Sequence, residues 1–183
     1  ALEERAALLA DLAKSSVGLQ LDKLVTMILE SVKSGGCIFL FGNGGSAAAA
    51  QHAAAELVGR FLRKRAPLPA LALTTDTSVL TAVGNDYGFE RMFERQVEAL
   101  VQAGDVVIGL STSGNSENVV RGLRAARRRD ARTAALLGRS GGRVGRVVDL
   151  AIRVPATSVP KVQEIHQCLL HLVCESIDRQ LTA

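Results

Sequence analysis

The chain of 183 residues has no tryptophan, one tyrosine and five phenylalanines. Single-stranded nucleic acid is gripped by stacking its bases on aromatic rings, and rings this few, none interleaved with basic residues, argue against such a groove. Cysteine is scarce too. Cys37, Cys168 and Cys174 lie in apolar surroundings without a CxxC pair, so they read as reduced core thiols rather than a disulfide framework or thiolate metal site. No apolar run reaches the roughly 18 residues of a membrane span. The alanine-rich stretch after Ser46 is broken by Gln51, His52 and Glu56. Glu3, Glu4 and Arg5 open an amphipathic helix rather than a signal peptide, which makes the cytoplasm the expected compartment.

What is there is mostly small and apolar. Hydrophobic residues make up 48% of the chain, a composition that suits a folded α/β protein and not disorder. The formal charge is +4, and much of the excess sits in two runs: Arg60, Arg63, Lys64 and Arg65, then Arg124, Arg127, Arg128 and Arg129. Clustered arginines can neutralise nucleic-acid phosphates. Solvated helix ends, where cations complement the dipole, account for them better without aromatic partners. Neither nucleic acid nor a membrane is an expected partner.

Residues 2–33 have apolar positions at helical spacing, with Gly18 as the expected interruption, and Ser34–Gly35–Gly36 stops the pattern. Cys37–Phe41 then reads as a fully buried strand. Further apolar strands are expected at 70–73, 106–110, 133–137 and 150–154. Helices are expected at about 46–62, 76–84, 89–102, 116–129, 142–147 and 159–180. Buried, non-alternating strands that alternate with helices imply a parallel sheet covered on both faces. The expected architecture is a single-domain, three-layer α/β sandwich with a five-stranded parallel sheet.

Two loops stand out. Gly42–Asn43–Gly44–Gly45–Ser46 follows the first core strand and opens a helix, where free amides face a ligand beyond the strand ends. It has neither the lysine of a P-loop nor GxGxxG spacing, so a nucleotide fits poorly. Ser111–Thr112–Ser113–Gly114–Asn115–Ser116 holds the same place after strand 106–110. Four hydroxyls and an amide in six residues are more than one helix cap needs. With the helix dipole they suit a phosphate dianion held without lysine.

These motifs occur in a telling order. The two loops are joined by Ala50–Gln51–His52 with Glu56, by Thr74–Thr75–Asp76 and by Gly84–Asn85–Asp86–Tyr87–Gly88. Val162–Gln163–Glu164–Ile165–His166, ending at His171, completes the set. Over essentially its whole length the chain resembles the phosphoheptose isomerases, the sedoheptulose-7-phosphate isomerases of the sugar-isomerase (SIS) fold. The resemblance implies a flavodoxin-like SIS domain with an N-terminal helical segment, residues 1–34, packing in a homotetramer whose active sites lie at subunit interfaces. It also implies conversion of sedoheptulose 7-phosphate to D-glycero-D-manno-heptose 7-phosphate through an enediol, the entry to bacterial heptose synthesis. Ala49 stands where the family pattern has an aspartate, a residue expected to cap free amides in the first helical turn and to orient its neighbours.

His52 and Glu56, four residues apart, share one helix face. Gln163 and His171, eight apart, share another, with His166 about 60° off that stripe. Enediol chemistry needs a base for the proton α to the carbonyl and an acid for its neighbour. By resemblance Glu56 is the base and His171 its acid–base partner. The same resemblance makes His52, Glu56, Gln163 and His171 the ligands of a Zn²⁺ ion. The two assignments compete for Glu56, and the rise of roughly 12 Å between Gln163 and His171 makes one small ion an awkward shared target. The resemblance further places phosphate among Ser46, Ser111, Thr112, Ser113 and Ser116, and sugar hydroxyls on Asn43, Gly44, Asp86 and Gln163, with Arg60 in reach. The alternative is a non-catalytic SIS-fold adaptor, like the replication-initiator-associating protein, or a sugar-phosphate sensor. Retention of both Glu56 and His171 favours the enzyme.

Overall fold

Residues 1–182 are described by a computed structural model. Five strands, β1 (Ile38–Gly42), β2 (Ala70–Ala72), β3 (Val106–Ser111), β4 (Arg132–Leu137) and β5 (Leu150–Arg153), pair entirely in parallel in the order β2-β1-β3-β4-β5. The chain leaves β1 for β2 on one side and returns to β3 on the other. The strand order therefore reverses between β1 and β3, the crevice where ligands bind in open α/β sheets.

Burial on both faces explains why the strands read as continuous apolar runs. Ile38 and Leu40 of β1 enter one core, while Phe39 and Phe41 enter the other. Four helices, α1 (Leu2–Ala13), α2 (Val17–Lys33), α3 (Gly45–Val58) and α7 (Val159–Leu181), lie on the first face. On the second lie α4 (Thr77–Tyr87), α5 (Met92–Leu100) and α6 (Glu117–Arg128), where Phe41 stacks on Phe93 at 4.7 Å between centroids. Each such buried side chain contributes about 1.5–3 kcal/mol, and the sheet core leaves little freedom in where its strand ends stand.

Several expectations are corrected here. The N-terminal helix breaks at Lys14–Ser16, not at Gly18, which lies in the first turn of α2; the Ser15 hydroxyl bonds the Leu12 carbonyl at the break. Within residues 1–34, Leu24, Val25, Ile28 and Leu29 of α2 and Leu12 of α1 are buried in the chain's own core, and α1 is tied to α7 by Arg5–Glu164 and Lys161–Glu4.

The arginine runs are largely consumed within the fold. Arg127 pairs with Asp149, Arg128 with Glu94 and Glu98, and Arg129 donates to the Val101 carbonyl. Arg65, read from the sequence as part of a solvated run, is buried instead, with a side chain 2% exposed against Asp178. The cysteines form no disulfide among the described residues; Cys37 and Cys168 are half-buried and Cys174 is buried, its thiol pushed up to about 12 chiefly by desolvation. No helix among the described residues is long and apolar enough to cross a membrane.

Candidate active site

At the end of β3 the chain turns through Ser111–Ser116 into α6. The turn is built from its own residues. The Gly114 amide donates to the Ser111 hydroxyl at 3.1 Å, and the Asn115 amide donates to the Ser113 hydroxyl at 3.1 Å. Gly114 has φ of +67°, and a Cβ there would stand 2.3 Å from the Gly141 carbonyl oxygen, so only glycine fits. Ser116 is the N-cap residue of α6, yet its hydroxyl makes no cap bond and lies 3.3 Å from that of Ser111. The Ser111 and Ser116 hydroxyls thus lie together beside the positive end of a helix, a setting that suits an anion.

The loop after β1 stands next to it. Asn43 and Asn118 exchange amide hydrogen bonds of 2.9 and 2.8 Å, which fasten the β1 loop to the first turn of α6. Gly44 precedes α3 as its N-cap, and Ser46 is buried in the helix's first turn. The Gln163 amide lies so close to Gly45 that a Cβ there would meet it at 2.6 Å. Through this contact the start of α7 closes over the β1 loop.

The titratable cluster sits about two to three helical turns further on. His52 Nε2 and His171 Nε2 are 2.9 Å apart, and the Glu56 carboxylate is 3.4 Å from His52 Nε2. Gln167 Nε2 is 2.9 Å from His171 Nε2, and the Phe61 ring packs at 5.2 Å between centroids from the His171 imidazole. His52, Glu56 and His171 are therefore brought together, with Gln163 held apart at Gly45. Gln167, one turn before His171, was not singled out by sequence reasoning, although its i, i+4 spacing to His171 was a usable signal. His166 is buried away from this cluster, 1% exposed, with neither ring nitrogen hydrogen-bonded.

Other expected residues stand elsewhere. Asp86 is exposed on α4, across the sheet from α3 and α7, its carboxylate accepting from the Asn85 amide at 2.8 Å. Arg60 is exposed just past the end of α3. Ala49 is the fifth residue of α3 and is buried in the first core, so an aspartate there would lie beyond the free amides and could not cap them as expected.

The donor chemistry of His52, Glu56 and His171, two imidazoles and a carboxylate, is of the kind zinc takes. Among the described residues no group of three or more such side chains is spread around an ion-sized gap. The two imidazoles touch instead. Nitrogens bound to one tetrahedral zinc at about 2.0–2.1 Å stand about 3.3 Å apart, so the rings need separate by only a few tenths of an ångström from the 2.9 Å observed. For these two imidazoles, sharing an ion would take only that small movement.

Comparison with known proteins agrees with this geometry. The SIS-domain pattern matches residues 3–138. A phosphoheptose isomerase of Aquifex aeolicus is 54% identical over 162 residues, covering 88% of this chain and 85% of its own. One from Pelobacter propionicus is 50% identical over 182 residues, covering 100% and 96%. The solved phosphoheptose isomerase of Neisseria gonorrhoeae superposes with a TM-score of 0.91 at 42% identity, over 97% of this chain and 95% of that one. By sequence and by fold, the chain belongs to the phosphoheptose isomerase family of SIS-domain proteins.

Proposed function

We propose that this chain is an aldose–ketose isomerase that converts sedoheptulose 7-phosphate to D-glycero-D-manno-heptose 7-phosphate. The observation that carries the reading is the meeting of His52 and Glu56 from α3 with His171 from α7, next to a hydroxyl-rich anion loop. An adaptor has no chemical use for that meeting.

The substrate phosphate rests on the hydroxyls of Ser111, Thr112, Ser113 and Ser116, with Ser46 across the crevice, and this anchors the sugar with its carbonyl end toward α3 and α7. Glu56 takes a proton from C1. The C1–H electron pair becomes the C1–C2 double bond while His171 gives a proton to the C2 carbonyl oxygen, forming the enediol. His171, left neutral, then takes the O1 proton as the C1 carbonyl forms, and C2 receives its proton from the Glu56 carboxyl. Atoms and electrons balance within the sugar, and no second substrate is needed.

Zn²⁺ belongs to the proposal: His52, Glu56 and His171 would hold it, with Gln167 rather than Gln163 as the amide beside them, and when bound it would polarise the sugar carbonyl as a Lewis acid. A homotetramer is also proposed. Leu2 and Leu19, 83% and 68% exposed on α1 and α2, suit burial against another subunit, and sites shared between subunits would bring Asp86 or Arg60 to the sugar. A cytoplasmic location follows from the charged substrate, which does not cross a membrane unaided.

The test is product formation and solvent-deuterium incorporation on sedoheptulose 7-phosphate, followed by NMR with and without added Zn²⁺. Turnover with deuterium at C2 of the product is the expected result. A folded protein that binds phosphate but neither exchanges nor isomerises would be a sensor, and the proposal would fall.

A further inference from the structure

The acid–base cluster is formed by two helices that make no continuous hydrogen-bonded ladder with each other. α3 and α7 run in the same direction: Gly45 meets Gln163 at their starts and His52 meets His171 further along. Packing of small side chains such as Ala50, Ala53 and Ala54 permits close approach but does little to fix sliding. Something else must set the register.

An ion pair with both side chains buried stands at the far end of both helices. Arg65 Nε donates to Asp178 Oδ1 at 2.7 Å, and the two side chains are 2% and 1% exposed. The other guanidinium nitrogens reach back to α3. Nη2 donates to the Glu56 carbonyl and Nη1 to the Leu57 carbonyl, each at 2.8 Å, and these are last-turn groups with no helical partner. Asp178 Oδ2 meanwhile accepts from the Leu62 and Arg63 amides at 2.7 and 2.9 Å. Those two bonds fix the segment that begins with Phe61, whose ring lies against His171. Burial works against the Asp178 charge, but the Arg63 amide, the Arg65 guanidinium and the Leu62 amide outweigh it and hold the carboxyl below its ordinary value.

A buried ion pair is a poor source of stability, because desolvation consumes most of the attraction and apolar replacements often do as well. What it supplies is direction. The planar Arg65 fork joins the backbone of Glu56 itself to a carboxylate two turns past His171. We propose that Arg65 and Asp178 are positioning residues for the isomerisation, a clamp that sets the register of α3 against α7 and so the distance between Glu56, His52 and His171. The proposal rests on the isomerase reading for its kinetic consequence alone; the clamp itself is a statement about geometry.

Two variants test it in the full chain. Arg65→Lys keeps the charge opposite Asp178 but loses the fork to the Glu56 and Leu57 carbonyls; Asp178→Asn removes the charge and keeps one acceptor oxygen. Displacements near 1 Å at reacting groups cost on the order of a hundredfold in rate. For each folded variant kcat should therefore fall about tenfold to a hundredfold, while the Michaelis constant stays within about twofold, because the phosphate loop is untouched. Crystal structures of Arg65→Lys and of the wild type, both prepared metal-free, should show His52 and His171 further apart in the variant. Unchanged kcat, an equal rise in the Michaelis constant, or the same His52–His171 spacing in both structures would each overturn the clamp. Should Asp178→Asn fail to fold, Arg65→Lys carries both readouts. Wild-type turnover tests the isomerase reading separately, and the crystallographic arm needs no turnover at all.

Discussion

The hydroxyl-rich loop after β3 and the His–Glu–His cluster between α3 and α7 serve one site but are held by different kinds of contact. Most bonds that shape the loop run between residues within five positions of one another, such as Gly114 to Ser111 and Asn115 to Ser113, with the turn at Gly141–Val144 as backing. The cluster joins residues 119 apart in sequence, and it depends on how two helices lie on a sheet. One is a local turn whose shape survives the loss of any single side chain. The other is a tertiary construction, sensitive to small shifts. Binding should therefore prove robust in this protein, and turnover fragile.

The sharpest way to press that difference is Glu56→Gln. The change is nearly isosteric at a side chain 22% exposed, so the fold should stand. General acid–base groups contribute about 10²–10⁴-fold, and kcat should drop by that much, with phosphate binding retained. Turnover within threefold of wild type would remove Glu56 as the base and leave the cluster without its central member.

His166 tests the helical side in another way. It is buried on α7, and desolvation pushes its imidazole down to about 4. The unfolded chain binds that proton near pH 6.5 and the folded chain only near 4, so stability is complete above about pH 6.5 and is lost as pH falls toward 4. Over two and a half units this amounts to about 3 kcal/mol. In His166→Leu the fall in denaturation midpoint between pH 6.5 and 4.5 should largely disappear. Parallel curves for both proteins would place the acid sensitivity elsewhere, the depressed Asp178 carboxyl being active only at lower pH.

The same difference decides what was legible in the sequence. β1 and β3 announced themselves because strands buried on both faces must be apolar at every position, and Ser111–Ser116 because its contacts are contiguous. His52 with Glu56 followed from i, i+4 spacing on one helix. Arg65 did not, since a cation in a basic run looks solvated until its carboxylate, 113 residues on, is seen folded against it. Gln167 was overlooked in favour of Gln163 because the eight-residue spacing of Gln163 to His171 marks a shared face, whereas the single-turn step from Gln167 is what brings an amide to 2.9 Å from the His171 imidazole. The break before α2 was misread because glycine is a weak signal there. The Ser15 hydroxyl donates to the Leu12 carbonyl and accepts from the Val17 amide, ending one helix and opening the next, whereas Gly18 is simply tolerated in a first turn.

The mildest test is made on the loop itself. In Ser113→Ala combined with Ser116→Ala, two hydroxyls proposed to hold the phosphate are lost, and water entering beside the phosphate takes over part of each bond. The turn should keep its shape. Gly114 remains bonded to the Ser111 hydroxyl, the Asn115 side chain still donates to the Ser113 carbonyl and accepts from the Arg143 amide, and Ser116 never capped α6 with its hydroxyl. Because these groups meet a phosphate that does not change during the reaction, they bind ground and transition states alike. The Michaelis constant should rise about tenfold with kcat inside a factor of two, a split measurable by initial rates on sedoheptulose 7-phosphate. Should kcat fall by as much as the Michaelis constant rises, the loop would be steering the sugar toward Glu56 as well as gripping its phosphate. The separation between a robust binding end and a fragile reacting end would then fail at its simplest point.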